Sequence, residues 1–180
     1  MNFIDDTYIV LDVPPSKWTE HILSVRCRLD AWRAELPVEV TITGSAGVGT
    51  FHEEQNQESA FRIIDALALE IAPIKTKFLS IKRFPNSSVF YFEPADSQPF
   101  INFQNRIAAT GLKFKPTSLS YIPHCTIANL RNNSSDEAVN EIYSIPASEK
   151  VLLEVLSFYA INQLGCRLLH RAKLCGKRFA

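Results

Sequence analysis

His124 and Thr126 give this sequence its clearest chemistry: an imidazole and a hydroxyl two residues apart in the apolar, β-branched run Tyr121-Ile122-Pro123-His124-Cys125-Thr126-Ile127-Ala128-Asn129-Leu130. In a strand that spacing puts both side chains on one face. Imidazole moves protons near neutral pH, and a threonine hydroxyl beside it donates a hydrogen bond to an anionic oxygen. His-x-Thr is therefore a small kit for phosphate chemistry. About 85 residues earlier, Leu36-Pro37-Val38-Glu39-Val40-Thr41-Ile42-Thr43-Gly44 has a similar shape, a turn-forming proline followed by a polar residue, a spacer and a threonine. There Glu39 stands where the imidazole would be.

The elements that must position these groups are read from periodicity and punctuation. Thr7 to Val13 is a short apolar run closed by Pro14-Pro15, which predicts a buried strand central in its sheet. Ser16 is placed to cap a helix whose stripe Ile22, Val25, Leu29, Trp32 and Leu36 continues to Pro37. Residues 38–43 form the first-motif strand and lead into Gly44-Ser45-Ala46-Gly47-Val48-Gly49, a connection that can approach a ligand closely. A helix is expected over 53–70, with His52 just before it; that histidine reads as solvated, with reach toward the site as the alternative. Strands over 74–81 and 89–93 make a hairpin around Phe84-Pro85-Asn86-Ser87-Ser88. Pro99 opens the next helix, with Phe100, Phe103 and Ile107 on its buried face. The second-motif strand, 121–130, is followed by a loop at 131–135, a short serine-capped helix, and a closing strand pair over 151–161 and 166–174. Each half of the chain thus brings one polar-x-Thr strand, and two pseudo-equivalent lobes meeting at a cleft are expected within a single 180-residue α+β domain.

Composition narrows the partners. The chain is 46% apolar and 21% charged, as in soluble globular proteins, and its 19 basic residues balance 19 acidic ones. No overall field draws it to duplex DNA or an anionic membrane, so affinity for phosphate must be local. Lys75 and Lys77, on one face of their strand, and Arg131, near the far end of the second motif, are the candidate substrate-binding cations. The four cysteines lack metal-ligand or disulfide spacing, so no metal is expected and a reducing, cytoplasmic setting is. The first residues lack the pattern of a secretory leader, and no apolar run reaches the length of a membrane span. A monomer is expected.

Paired His-x-Thr strands in two α+β lobes resemble the two-histidine (2H) phosphoesterases, the 2'-5' RNA ligase-like superfamily. The resemblance runs from Tyr8 to Leu174. It implies a bilobed fold with pseudo-twofold symmetry, antiparallel sheets, helices outside and a central cleft. It also implies metal-independent, cofactor-free action on 2',3'-cyclic phosphates, ADP-ribose 1",2"-cyclic phosphate or 2'-5' linkages, the substrate being a small nucleotide or RNA end. His124 and Thr126 match the second motif; Thr41 matches the first, with Glu39 in the histidine's place. In intact sites one imidazole takes a proton, the other gives one, and the threonines hold nonbridging oxygens. Here the simplest assignment makes Glu39 the base and protonated His124 the acid; alternatively, burial neutralises Glu39 and makes it the acid. An ionised Glu39 repels a phosphodiester by about 4 kcal/mol at an effective dielectric near 20. A lapsed site that binds a nucleotide or RNA end without turnover is the second reading. An unrelated α+β domain, with His124 in its core, is the third.

Overall fold

β1 (Asp6–Asp12) lies in the interior of a four-stranded antiparallel sheet of order β2-β1-β8-β9, formed with β2 (Glu39–Thr43), β8 (Val155–Asn162) and β9 (Gly165–Lys173). A second antiparallel sheet has the order β4-β5-β6, from β4 (Phe78–Arg83), β5 (Val89–Pro94) and β6 (Cys125–Asn129). A short pair joins β3 (Ile74–Thr76) to β7 (Val151–Leu153). The structure is a computed structural model and describes residues 1–131, 135–163 and 165–177. Most of the loop expected over 131–135 lies outside the described residues.

Among the described residues, five helices cover the sheets: α1 (Lys17–Leu29), α2 (Ala31–Ala34), α3 (Gln57–Glu70), α4 (Gln98–Ala108) and α5 (Asp136–Tyr143). The placement of α1 and α4 is crossed. α1, which follows a strand of the first sheet, packs on β6 of the second, while α4, which follows a strand of the second, packs on β2 of the first. The pseudo-symmetric, two-sheet α+β arrangement expected from the sequence is present, but the lobes are not the two halves of the chain. The hairpin of the first half, β4–β5, builds the sheet of the second motif, and the hairpin β8–β9 completes the sheet of the first.

The buried faces explain the elements. Ile9 and Leu11 of β1 are buried, as are Ile22 and Val25 of α1 and Phe100, Phe103 and Ile107 of α4. Each fully buried side chain of this size contributes about 1.5–3 kcal/mol. One continuous core runs between the sheets, with Trp18 stacked on Phe78 at one end and Phe3 stacked on Phe51 at the other.

Three expected elements are interrupted by side chains or loops that compete for the backbone. The helix expected to reach Leu36 stops at Asp30, whose backbone turns out of the helix (φ −151°, ψ 72°). Its carboxylate accepts the N–H of Arg33 at 3.2 Å and that of Asn129 at 2.7 Å, capping α2 and tying it to β6. The strand expected over 74–81 breaks after Thr76, because Ala95 N–H donates to the Lys77 carbonyl and Ser148 Oγ accepts the N–H of Phe78. The strand expected over 151–161 breaks at Glu154, whose carbonyl accepts Leu174 N–H. α3 starts at Gln57, later than expected, because Asn56 caps it through Ser59 N–H.

Candidate active site

β2 and β6 are both edge strands, one from each sheet, and they lie against each other. Strand alternation therefore brings the two polar-x-Thr motifs to one place. Glu39, Thr41, His124 and Thr126 all line a single cavity of about 590 Å³. Tyr121 locks the approach: its hydroxyl, from the lead-in to the second motif, donates to the Thr41 carbonyl at 2.8 Å.

His124 precedes the ladder of β6, which begins at Cys125 rather than at Tyr121. Its Nδ1 stands 2.6 Å from the Ile122 carbonyl, a partner that can only accept. That fixes the proton on Nδ1 and leaves Nε2 with a lone pair. The rings of Phe84 and Tyr91 meet the imidazole edge-on, with centroids 4.9 and 5.2 Å away. Burial lowers the His124 pKa below its ordinary 6.5; the Ile122 bond acts in the opposite direction, and Arg33 reinforces the fall. The ring is thus neutral at pH 7.

Glu39 is shifted the other way. The residue is half-buried, but its carboxyl sits within the protein, and desolvation raises its pKa to about 7 against the pull of the Thr41 hydroxyl, Arg26 and Arg33. Asp12, directly opposite on β1, pushes it further up. Thr41 Oγ1 donates to Glu39 Oε2 at 2.9 Å. The site pairs an imidazole ready to accept a proton with a carboxyl that is half protonated near neutrality.

The expected cations are elsewhere. Lys75 is exposed on β3, which pairs with β7 and not with either motif strand; Lys77 follows it, and Arg131 is exposed beyond β6. None of the three lines the cavity, and neither does His52, whose ring accepts Glu54 N–H. Arg33 of α2 supplies the positive charge instead. Its side chain is about one-fifth exposed, with Nε 3.5 Å from Asp30. Periodicity alone misses it, because a 3.6-residue stripe carried through Asp30 makes Trp32 a core residue and turns Arg33 away. An aspartate that can cap a following turn is the available signal. In the glycine-rich connection, Ser45 and Ala46 reach the cavity, while Gly47 N–H is held by the Leu119 carbonyl.

The remaining walls are mostly aromatic and aliphatic: Tyr8, Trp32, Phe84, Leu119, Ile122 and Tyr159 among them. Trp32, Leu119 and Ile122 are exposed at the rim although large and apolar. The aromatic members of such a surface stack on rings. Cys166 also lines the cavity, but burial pushes its thiol up to about 11, so it is no ready nucleophile. Among the described residues no group of three or more histidine, cysteine, aspartate or glutamate side chains is gathered to hold a metal, and no helix is long and apolar enough to cross a membrane.

A family model described as the 2'-5' RNA ligase superfamily matches residues 14–160. Escherichia coli LigT, solved in complex with 3'-AMP, superposes with a TM-score of 0.62 at 16% identity, over 94% of this chain and 98% of that one. TT0787 of Thermus thermophilus gives 0.65 at 14% identity, over 96% and 100%. LigT solved with NADP+ gives 0.59 at 17% identity, over 95% and 98%. At these identities the likeness is one of fold. No curated protein matches the sequence.

Proposed function

Because the chain belongs to the 2'-5' RNA ligase superfamily, we propose that it is a metal-independent phosphoesterase acting on a cyclic phosphate or 2'-5'-linked nucleotide, with Glu39 as acid and His124 as base. The observation that carries this reading is the pair of opposed shifts in one cavity: a neutral imidazole whose Nδ1 proton is tied down, and a carboxyl titrating at about 7. Two groups in complementary protonation states are what ester cleavage at phosphorus needs. The environment favours the acid role for Glu39 over the base role, since desolvation holds the proton on the carboxyl and off the ring.

In a 2',3'-cyclic nucleotide, His124 Nε2 takes a proton from water as the oxygen attacks phosphorus. Glu39 gives its proton to the departing ribose oxygen, leaving a ring-opened phosphomonoester. The Thr41 hydroxyl, turned from Glu39 to the substrate, and the Thr126 hydroxyl donate to the nonbridging oxygens, and Arg33 offsets their charge. A protonated Glu39 also removes the repulsion that a glutamate would otherwise exert on the substrate. The stacking walls of Tyr8, Trp32 and Phe84 suit a nucleobase. That LigT has been solved with 3'-AMP and with NADP+ supports a small phosphate-bearing nucleotide as ligand.

The test compares leaving groups. On 2',3'-cyclic nucleotides, Glu39→Gln and His124→Ala are each expected to lower kcat by about 10²- to 10⁴-fold. On a p-nitrophenyl phosphodiester, whose leaving group departs without protonation, Glu39→Gln should retain most of the activity and His124→Ala should not. The opposite pattern reverses the two roles. Nucleotide binding without turnover by the wild type establishes the lapsed binding module instead.

A further inference from the structure

Each motif threonine is followed by one extra residue in its ladder. On β2, Thr41 faces Val10 and Thr43 faces Ile9, so Ile42 has no partner across the pair. On β6, Thr126 faces Tyr91 and Ala128 faces Phe90, so Ile127 has none. These are β-bulges at the same offset in both motifs, and a bulge re-aims the side chains around it. Each also turns a backbone carbonyl away from its ladder into the protein, where an unpaired carbonyl is costly.

In both cases the helix packed on that strand supplies the missing donor. Gln104 of α4 donates through Nε2 to the Ile42 carbonyl at 2.7 Å. Arg26 of α1 donates through Nε to the Ile127 carbonyl at 3.0 Å and through Nη2 to the Thr126 carbonyl at 2.7 Å. Its Nη1 also reaches the Leu36 and Pro37 carbonyls, each at 3.0 Å, on the approach to the first motif. Arg26 is 0% exposed and Gln104 6%. β2 and β6 are edge strands, so no further strand can receive these carbonyls, and the buried helix faces must carry the donors. Only a guanidinium, with five donors in a rigid fork, can hold carbonyls of both motif segments at once.

We propose that Arg26 and Gln104 are paired positioning residues, each pinning the bulge behind one motif threonine so that the hydroxyl in front of it stays aimed into the cavity. The proposal rests on the phosphoesterase reading for its kinetic arm. Arg26 serves the His124–Thr126 side and braces it against the first motif; Gln104 serves the Glu39–Thr41 side.

Arg26→Lys keeps a charge beside the site and loses the fork, and Gln104→Leu removes the donor at similar volume. Both variants are compared with the wild type in thermal unfolding, in kcat and KM on a 2',3'-cyclic nucleotide, and in the carboxyl titration of Glu39 followed by carbon-13 NMR without ligand. Misplacement of the threonines predicts a kcat about 10²-fold lower with KM within about threefold. The groups acting on Glu39 are Thr41, Arg26 and Arg33, which lower its pKa, and Asp12, which raises it alongside burial. Gln104→Leu loosens Thr41 and so moves the Glu39 titration upward, whereas Arg26→Lys leaves it in place. A lower melting temperature with kcat, KM and the titration all unchanged overturns the proposal. If Arg26→Lys does not fold, Gln104→Leu alone decides. If the wild type turns over no cyclic nucleotide, the phosphoesterase reading fails, and the Glu39 titration in Gln104→Leu still supports or overturns the positioning role.

Discussion

At the scale of single residues, Glu39 links function to stability with opposite signs. Its folded pKa of about 7 lies above the ordinary 4.5, so the folded chain holds this proton more tightly than the unfolded chain does. The stabilising contribution is therefore complete below about pH 4.5, falls as the pH rises to about 7, and is absent above that. A shift of this size corresponds to about 3 kcal/mol. Glu39→Gln should consequently match the wild type in stability at pH 4.5 and exceed it by about 2–3 kcal/mol at pH 8, measured by denaturant unfolding at both pH values. Equal stability at both would mean that the carboxyl is not desolvated. The motif residues were legible because a period of two fixes which side chains share a face: Glu39, Thr41, His124 and Thr126 could be grouped before any contact was seen. Which of the two ionisable groups carries the proton was not legible. That depends on what surrounds each, namely Asp12 across the sheet, the Ile122 carbonyl and the apolar walls.

At the scale of elements, α2 is the part the sequence concealed. Four residues long, it exists because Asp30 ends one helix, caps the next and binds the edge of β6. The stripe Ile22, Val25, Leu29, Trp32, Leu36 looks continuous because helical periodicity records which residues are apolar, not where a side chain takes over a backbone N–H. Asp30→Ala is expected to cost about 1–2 kcal/mol through the lost cap and the unpaired Asn129 N–H. It should also raise KM, since Arg33 and Trp32 ride on α2. Trp32→Ala, which removes only the rim ring, should raise KM with stability little changed, because the side chain is 41% exposed. Steady-state kinetics beside melting curves separates the two. The breaks at Lys77 and Glu154 were hidden for a related reason: the hydrogen bonds that end those strands come from Ala95, Ser148 and Leu174, remote in sequence.

At the scale of the molecule, the two sheets share one core and exchange hairpins, so each is built from strands of both halves of the chain. Unfolding should be a single cooperative event, with near-ultraviolet and far-ultraviolet circular dichroism giving the same midpoint. Two separated midpoints would show that the lobes are independent. The pseudo-symmetry and the fold class were legible in the order of elements and in the spacing of the two motifs. The exchange was not, because a hairpin's own periodicity says nothing about which neighbouring edge it joins. That edge is decided by long-range pairing, here of β5 with β6 and of β8 with β1.

The exchange also sets a timetable for a chain emerging from the ribosome. All strands of the second sheet have been synthesised once Asn129 is made, whereas β1 waits for a neighbour that begins at Val155. Until then one side of β1 has no strand to receive it, and an open edge of this kind invites pairing with other chains. β1 is thus the first strand of the protein to be made and among the last to be secured.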